Sequence, residues 1–490
     1  MARSSSARKN TVNEVSALPR DTPAFPTPQD PFRQLGIYGL GRIAPVLLAA
    51  LVTEEPLLLI GPHGTAKTLL LTRIATALGL ECRHYNASLL NFDDLVGFPL
   101  PDAAGGLRYV GTPASIWGAG AVIFDEISRC RPDIQNKLFP IIHERRAQGL
   151  LLKGLRYRWS AMNPPGRDDD EQDAYRGSEP LDPALADRFA YVVDMPGWEH
   201  LSEADRIAVI TAREFPVSAD AAAALLRDVA RAHGLRGVVA ETMGGGVADY
   251  VRILVDLLRQ ARINLSPRRA GMLYRSVLAT HAAALALGPD AEPSDSALLA
   301  VTTGLPQRAQ GIALPHVKLL SAHREAWRLA KMEAGDPLRA ILTAADPVER
   351  LRLAVASSTL NRADFSGIVA DVLAQLPHGV REAAIIHLFE TGTVGRLNAA
   401  IAEQAGAIYQ SLAMPVVFAE SLHAGHSRFS TWQRLKDLLS RLDPGNSRDN
   451  LQANALASLF ARQQIVTAET AEAAFTAFEV TDRRLRGSPS

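Results

Sequence analysis

Little in this sequence can staple a fold covalently or hold it in a membrane. Two cysteines, Cys82 and Cys130, stand in 490 residues. That is too few for a disulfide framework or a cysteine-ligated metal site, so both are expected as buried thiols in a reducing compartment. Net charge is missing too. Lys and Arg number 52 together, as do Asp and Glu, so no global field draws the chain to nucleic acid or to an acidic surface. No apolar run approaches the ~20 residues of a membrane span, and the N-terminus lacks the apolar stretch of a signal peptide. A cytoplasmic protein with no membrane span is the expectation. What remains is a globular composition, 47% hydrophobic and 21% charged, and a length that suggests about three domains.

The chain is organised around Leu57-Leu58-Leu59-Ile60-Gly61-Pro62-His63-Gly64-Thr65-Ala66-Lys67-Thr68. Four apolar residues, a Gly-rich turn and a Lys-Thr pair opening an apolar helix read as strand, tight loop and helix. Such a loop turns its backbone N–H groups inward, and the helix N-terminus adds partial positive charge, so a phosphate fits there. Gly61 and Gly64 let the backbone bend. Lys67 is placed for the β- and γ-phosphates of a nucleotide, and the Thr68 hydroxyl for Mg²⁺. Ala66 stands where the usual form has a second glycine, which is acceptable if that residue holds helical dihedrals. Residues 68–78 then form a helix stopped by Gly79, and 82–86 a second strand, a βαβ unit of an open α/β sheet.

The second carrier of chemistry is Ala121-Val122-Ile123-Phe124-Asp125-Glu126, a buried strand with two carboxylates at its end. Ligands of open parallel sheets sit at the carboxyl ends of strands. Asp125 is placed to hold Mg²⁺ through water, and Glu126 to deprotonate an attacking water. A third strand ends at Asn163-Pro164, where Asn163 is in reach of a γ-phosphate or that water. Read without its context, Asn-Pro is simply a turn. The acidic run Asp168-Asp169-Asp170-Glu171 reads as a solvated loop.

Taken together, residues 37–308 resemble the MoxR branch of the AAA+ ATPases. The residues that carry the likeness are Gly61-Pro62-His63-Gly64-Thr65-Ala66-Lys67-Thr68, Phe124-Asp125-Glu126-Ile127-Ser128-Arg129, Asn163-Pro164, Leu185-Ala186-Asp187-Arg188-Phe189 and Ser266-Pro267-Arg268. That branch also uses Ala before the Lys. The resemblance implies ATP and Mg²⁺ as cofactors, with Thr68 and Asp125 on the metal and Glu126 as base. It implies Asn163 as sensor 1, Arg188 as an arginine finger offered to a neighbouring subunit, and Arg268 as sensor 2. Arg129 is implied at the subunit interface. It further implies a ring, a hexamer by preference, a partner with a von Willebrand factor A domain, and a client protein to be matured or loaded with a metal or cofactor.

The expected architecture is an AAA+ P-loop αβα core with a helical lid, followed by an all-α C-terminal domain. Its boundaries are 1–30 for a disordered basic tail, 31–198 for the core, 199–310 for the lid, 311–482 for the C-terminal helices and 483–490 for a disordered end. Residues 95–109 read as a hairpin-like insert, and 150–157 as a hairpin pivoting on Gly154. Gly244-Gly245-Gly246 reads as a hinge or turn before an apolar helical face of Val247, Tyr250, Val251, Leu254 and Leu258. Ser266-Pro267 reads as an N-cap with Pro at the first helical position. His423 and His426 lack a third ligand motif, so they read as loop histidines rather than a metal site. Extra helices past residue 311 are expected to dock a partner. Two rival functions stay open: a nucleic-acid motor, against which the zero net charge stands, and a nucleotide-gated scaffold with negligible hydrolysis, against which Glu126, Asn163 and the two arginines stand.

Overall fold

Alternation of side chains along short buried strands decides the architecture of the first half. The computed structural model describes residues 30–101, 106–166, 177–212, 216–414 and 428–487. It divides into two units, Met1–Lys331 and Met332–Ser490. The first unit opens with α1 (Ala44–Thr53), β1 (Leu57–Ile60), α2 (Lys67–Ala77), β2 (Cys82–Asn86) and α3 (Phe92–Val96). An antiparallel hairpin follows, β3 (Phe98–Pro101) and β4 (Leu107–Val110). Then come β5 (Ala121–Asp125), α4 (Pro132–Glu144), a two-residue pair β6 (Arg146–Ala147) and β7 (Leu150–Leu151), and β8 (Tyr157–Met162). Next are α5 (Pro183–Ala186), β9 (Tyr191–Asp194) and α6 (Glu203–Thr211). Four helices close the unit: α7 (Ala219–Gln260), α8 (Pro267–Leu287), α9 (Pro293–Thr302) and α10 (His316–Lys331).

Five strands form one parallel sheet in the order β2-β5-β8-β1-β9. The chain leaves β1 for the far edge, returns through β5 and β8, and then passes β1 to add β9. All five carboxyl ends therefore point one way, and the reversal of strand order lies beside β1, where open α/β sheets bind their ligands. Strand side chains alternate between two cores. Leu57, Leu59, Ile123, Trp159 and Val193 face one cluster with α1, α2, α7 and α8. Leu58, Ile60, Phe124, Met162 and Val192 face the other with α3 and α4. The core is thus the expected αβα sandwich.

The segment expected as a lid contributes one of its layers. Ala221, Leu225 and Ala232 of α7 and Met272, Ala279 and Ala283 of α8 are buried in the same cluster as β1. Ser266 caps α8, its hydroxyl accepting from the Arg269 N–H, with Pro267 at the first helical position.

Several expectations are corrected. Gly244-Gly245-Gly246 is no turn; α7 runs through it as one helix of 42 residues. Val247, Tyr250, Val251, Leu254 and Leu258 beyond it are buried, and their packing outweighs the ~1 kcal/mol per residue that glycine costs a helix. The hairpin before β8 pivots at Gln148 and Gly149, both at positive φ, rather than on Gly154. The helix Ala468–Leu485 reaches into the expected C-terminal tail. The division between units falls after Lys331, so α10 lies in the first unit and not in a domain starting at 311. The basic tail at 1–29, the acidic run, His423 and His426, and 488–490 lie outside the described residues.

In the second unit the described helices are Pro337–Thr343, Pro347–Ala356, Arg362–Gln375, Val380–Glu390, Ala399–Ala413, Phe429–Leu439, Ser447–Ala461 and Ala468–Leu485. Asp336, Asp346, Asn361, Asn398 and Asn446 cap five of them at the N-terminus through side-chain oxygens. Leu351, Phe365, Val369, Val372 and Leu388 share a core there.

One buried histidine makes the first unit acid-sensitive. His323 of α10 is 3% exposed. Its Nδ1 lies 2.8 Å from the Tyr250 hydroxyl and its Nε2 3.2 Å from Ser294 Oγ. Burial, aided by the Arg324 charge, pushes its pKa down to about 4. An unfolded histidine protonates near 6.5, so as pH falls the unfolded chain gains its proton first. Stability therefore declines from about pH 6.5 to about 4 and levels off below, by up to roughly 3 kcal/mol at ~1.4 kcal/mol per unit. Urea midpoints across that window should fall steeply in the wild type and less steeply in His323→Gln. Equal slopes would contradict the assignment.

Candidate functional site

The site assembles where β1, β5 and β8 end. Gly61 follows β1 and lies against other groups: a Cβ there would sit 2.8 Å from Thr65 Oγ1 and 3.0 Å from Met195 Cβ. Gly64 turns the loop at φ 78°. Ala66 caps α2 at φ 58° and ψ 24°, so its dihedrals are helical but left-handed. That conformation costs an L-residue about 1–2 kcal/mol, and a glycine avoids the cost. The strain sits at the turn that delivers Lys67 and Thr68.

Lys67 is 8% exposed. Its Nζ donates to the carbonyls of Gly61 at 2.7 Å and Pro62 at 2.9 Å, and to Asn163 Oδ1 at 3.2 Å. Burial lowers its pKa, while the charges of Asp125 and Glu126 pull it back up. Thr68 Oγ1 donates to Asp125 Oδ2 at 2.6 Å. Burial alone would raise the Asp125 pKa. Hydrogen bonds from His84, from Thr68 and from the Glu126 N–H outweigh it and hold the carboxyl below its usual range. His84 Nε2 stands 3.5 Å from Asp125 Oδ2.

Glu126 adopts φ 53° and ψ 39°, again left-handed, as β5 turns sharply into the helical turn Ile127–Arg129. Non-glycine residues are held this way chiefly where a site requires it. Its carboxylate lies 3.3 Å from Arg129 Nε and 3.3–3.4 Å from Asn163 Nδ2. Asn163 is fully buried. Its amide thus faces the ammonium of Lys67 with its oxygen and the carboxylate of Glu126 with its nitrogen. His63 Nε2 lies 3.5 Å from the same nitrogen.

A second cluster gathers around Asp187. Its carboxylate accepts from Ser266 Oγ at 2.9 Å and from Arg269 Nε at 3.3 Å, with Arg268 Nη1 at 3.7 Å. Arg269 is wholly buried and also donates to the carbonyls of Phe189 and Gly304. Arg188 lies with its guanidinium 4.4 Å from the Phe139 ring centroid and donates to the Ala184 carbonyl. Burial first, and the nearby Arg268 charge second, lower the Arg188 pKa. Both charges also depress His143, behind the effect of its burial.

The structure therefore joins Lys67, Thr68, Asp125, Glu126 and Asn163 in one site. Arg188 and Arg268 stand together elsewhere, and among the described residues no hydrogen bond or ion pair links them to it. Arg129 pairs with Glu126 of its own chain. The sequence reading missed His84, whose signal was its place on a strand two residues before Asn86, the register partner of Asp125. It also missed that the arginine after Arg268 would be the buried one.

A family model describing the AAA domain of the dynein-related subfamily matches residues 56–189. Those residues are an AAA domain. The match begins just before β1 and ends past Arg188, so it takes in the Lys67 site whole and, of the second cluster, Asp187 and Arg188. No curated protein matches the chain. Many solved structures overlap it, among them the following two. A candidate ATPase from Cytophaga hutchinsonii is 19% identical, with a TM-score of 0.41, over 60% of this chain and 92% of that one. A full-length MCM homologue from Methanopyrus kandleri is 15% identical, with a TM-score of 0.35, over 59% of each.

An AAA domain binds nucleotide, usually with Mg²⁺, and this AAA domain fits both. Lys67 supplies a buried ammonium for the phosphates, and Thr68 and Asp125 present the hard oxygen donors that Mg²⁺ prefers. Replacing Ala66 by glycine should relieve the left-handed strain and raise unfolding stability by about 1 kcal/mol. A lower melting temperature for Ala66→Gly, measured without nucleotide, would contradict this.

Proposed function

We propose that the AAA domain hydrolyses ATP at this site, with Glu126 as the base. The observation that carries the reading is the Asn163 amide set between Lys67 and Glu126. Lys67 would turn its ammonium to the β- and γ-phosphates, and Thr68 with Asp125 would hold Mg²⁺. The metal, when bound, offsets charge on the phosphate oxygens. Asn163 orients the water, Glu126 takes its proton, the water oxygen bonds to the γ-phosphorus, and ADP leaves. Lys67→Ala should abolish ATP binding, because it removes the buried ammonium. Glu126→Gln should keep binding and stop turnover, because an amide takes no proton. Wild-type rates in Glu126→Gln would refute the assignment of the base.

We further propose a MoxR-type ring, a hexamer by preference, that remodels or matures a client protein with a von Willebrand A-domain partner. The motif order given above supports this reading. So does the placement of Arg188 and Arg268, two neighbouring guanidiniums, with Arg268 3.7 Å from Asp187 and with Arg188 Nε buried without a partner among the described residues. Such a pair suits phosphates, with Arg188 as a finger offered to an adjacent subunit and Arg268 as sensor 2 reaching the phosphates from the start of α8. The helices past Lys331 carry none of the nucleotide motifs and serve docking. The zero net charge disfavours the nucleic-acid motor, and the Glu126–Asn163 pair disfavours a scaffold without turnover.

Removing a finger costs on the order of 10³–10⁵ in rate, so Arg188→Ala should be nearly inactive alone. Mixed with Glu126→Gln subunits, it should recover part of the activity, since intact half-sites then meet. A monomer in gel filtration with ATP would refute the ring.

A further inference from the structure

Behind the candidate water site lies a pair of buried hydroxyls that no step above uses. Ser128 is 1% exposed and Ser178 4%. Ser178 Oγ lies 3.0 Å from Ser128 Oγ and 3.1 Å from the Asn163 carbonyl oxygen. Two main-chain bonds flank the pair: the Glu179 N–H donates to the Ser128 carbonyl, and the Gly166 N–H to the Ser178 carbonyl.

A hydroxyl has one proton to give. The Asn163 carbonyl can only accept, so Ser178 donates to it and Ser128 donates in turn to Ser178. That carbonyl precedes Pro164, which has no N–H, at the point where β8 has ended. Ser128 sits two residues past Glu126, in the turn that follows its left-handed backbone. The two serines therefore connect the residue that orients the water to the turn that aims the base, through a path lined by neither Lys67 nor Asp125.

We infer that Ser178, acting through Ser128, is a positioning residue for ATP hydrolysis: it fixes the Asn163 amide against the Glu126 carboxylate. This rests on the ATPase reading above. Among the described residues neither serine hydrogen-bonds to Lys67, Thr68 or Asp125, so the pair governs the chemical step and leaves nucleotide affinity alone. Misplacement of reacting groups by fractions of an ångström is what such supports prevent.

The experiment compares full-length wild type, Ser178→Ala, Ser178→Thr and Ser128→Ala for steady-state ATP turnover and for ATP affinity. Loss of one buried hydrogen bond at about 1.4 kcal/mol per decade gives a kcat about tenfold lower in Ser178→Ala. KM and nucleotide affinity should stay within about twofold by the same measure. Ser178→Thr, which keeps the hydroxyl, should recover most of the rate. Ser128→Ala should show the same split to a smaller degree, which keeps the test open if Ser178→Ala folds poorly. A wild-type kcat in both alanine variants overturns the inference, as does a threonine variant no better than alanine, or a loss that falls equally on affinity. If instead the wild type binds ATP and never hydrolyses it, the ATPase reading fails, and the positioning role fails with it.

Discussion

A buried ammonium must be surrounded by acceptors, and the site depends on how Lys67 satisfies that need. Its three bonds go to two carbonyls of its own loop and to the Asn163 side chain. The first two close the loop on itself; the third fastens it to the end of β8. The negative charges of the half-buried Asp125 and Glu126 then stand beside a buried positive one, where Coulomb terms exceed those in bulk water. Take the ammonium away and the acids keep only the peripheral partners, Arg129 beside Glu126 and His84 beside Asp125. The parallel sheet exists, in this sense, to bring three strand ends within reach of one side chain.

Asp187 plays the corresponding part for the second cluster. Its carboxylate gathers the cap of α8 through Ser266, the exposed Arg268 and the buried Arg269. Removing it would leave a wholly buried guanidinium without a carboxylate, the situation in which breaking a pair is most destabilising. The same acid thus steadies the first turn of α8 and keeps Arg268 at the surface with Arg188 nearby. The Lys67 site and the arginine cluster are built separately, each around one charged residue.

Much of this was legible in the chain. Leu57–Ile60 and Ala121–Asp125 are too apolar to be anything but interior strands, and a Gly-rich turn or paired acids at their ends leaves few alternatives. Ser266-Pro267 marked a helix start by local chemistry alone. Where the reading failed, tertiary packing had the deciding vote. Three glycines in a row argue for a turn, but five buried apolar side chains past them keep α7 helical throughout. Whether Arg268 or Arg269 faces solvent depends on about 100° of helix rotation per residue, which no motif records. Ser128 and Ser178 are fifty positions apart and carry no signature; only the approach of two strand ends makes them neighbours.

The continuity of α7 has a mechanical side. At about 1.5 Å per residue its 42 residues span about 63 Å. The first half is clamped in the core beside the sheet, and the second carries Tyr250 against His323. Between them lie Gly245 and Gly246, both exposed, where an added methyl group would meet nothing within 4 Å. The helix is therefore a strut that narrows to bare backbone at two residues, and what carries load past that point is the buried packing of Val247, Tyr250 and Val251 rather than the exposed face.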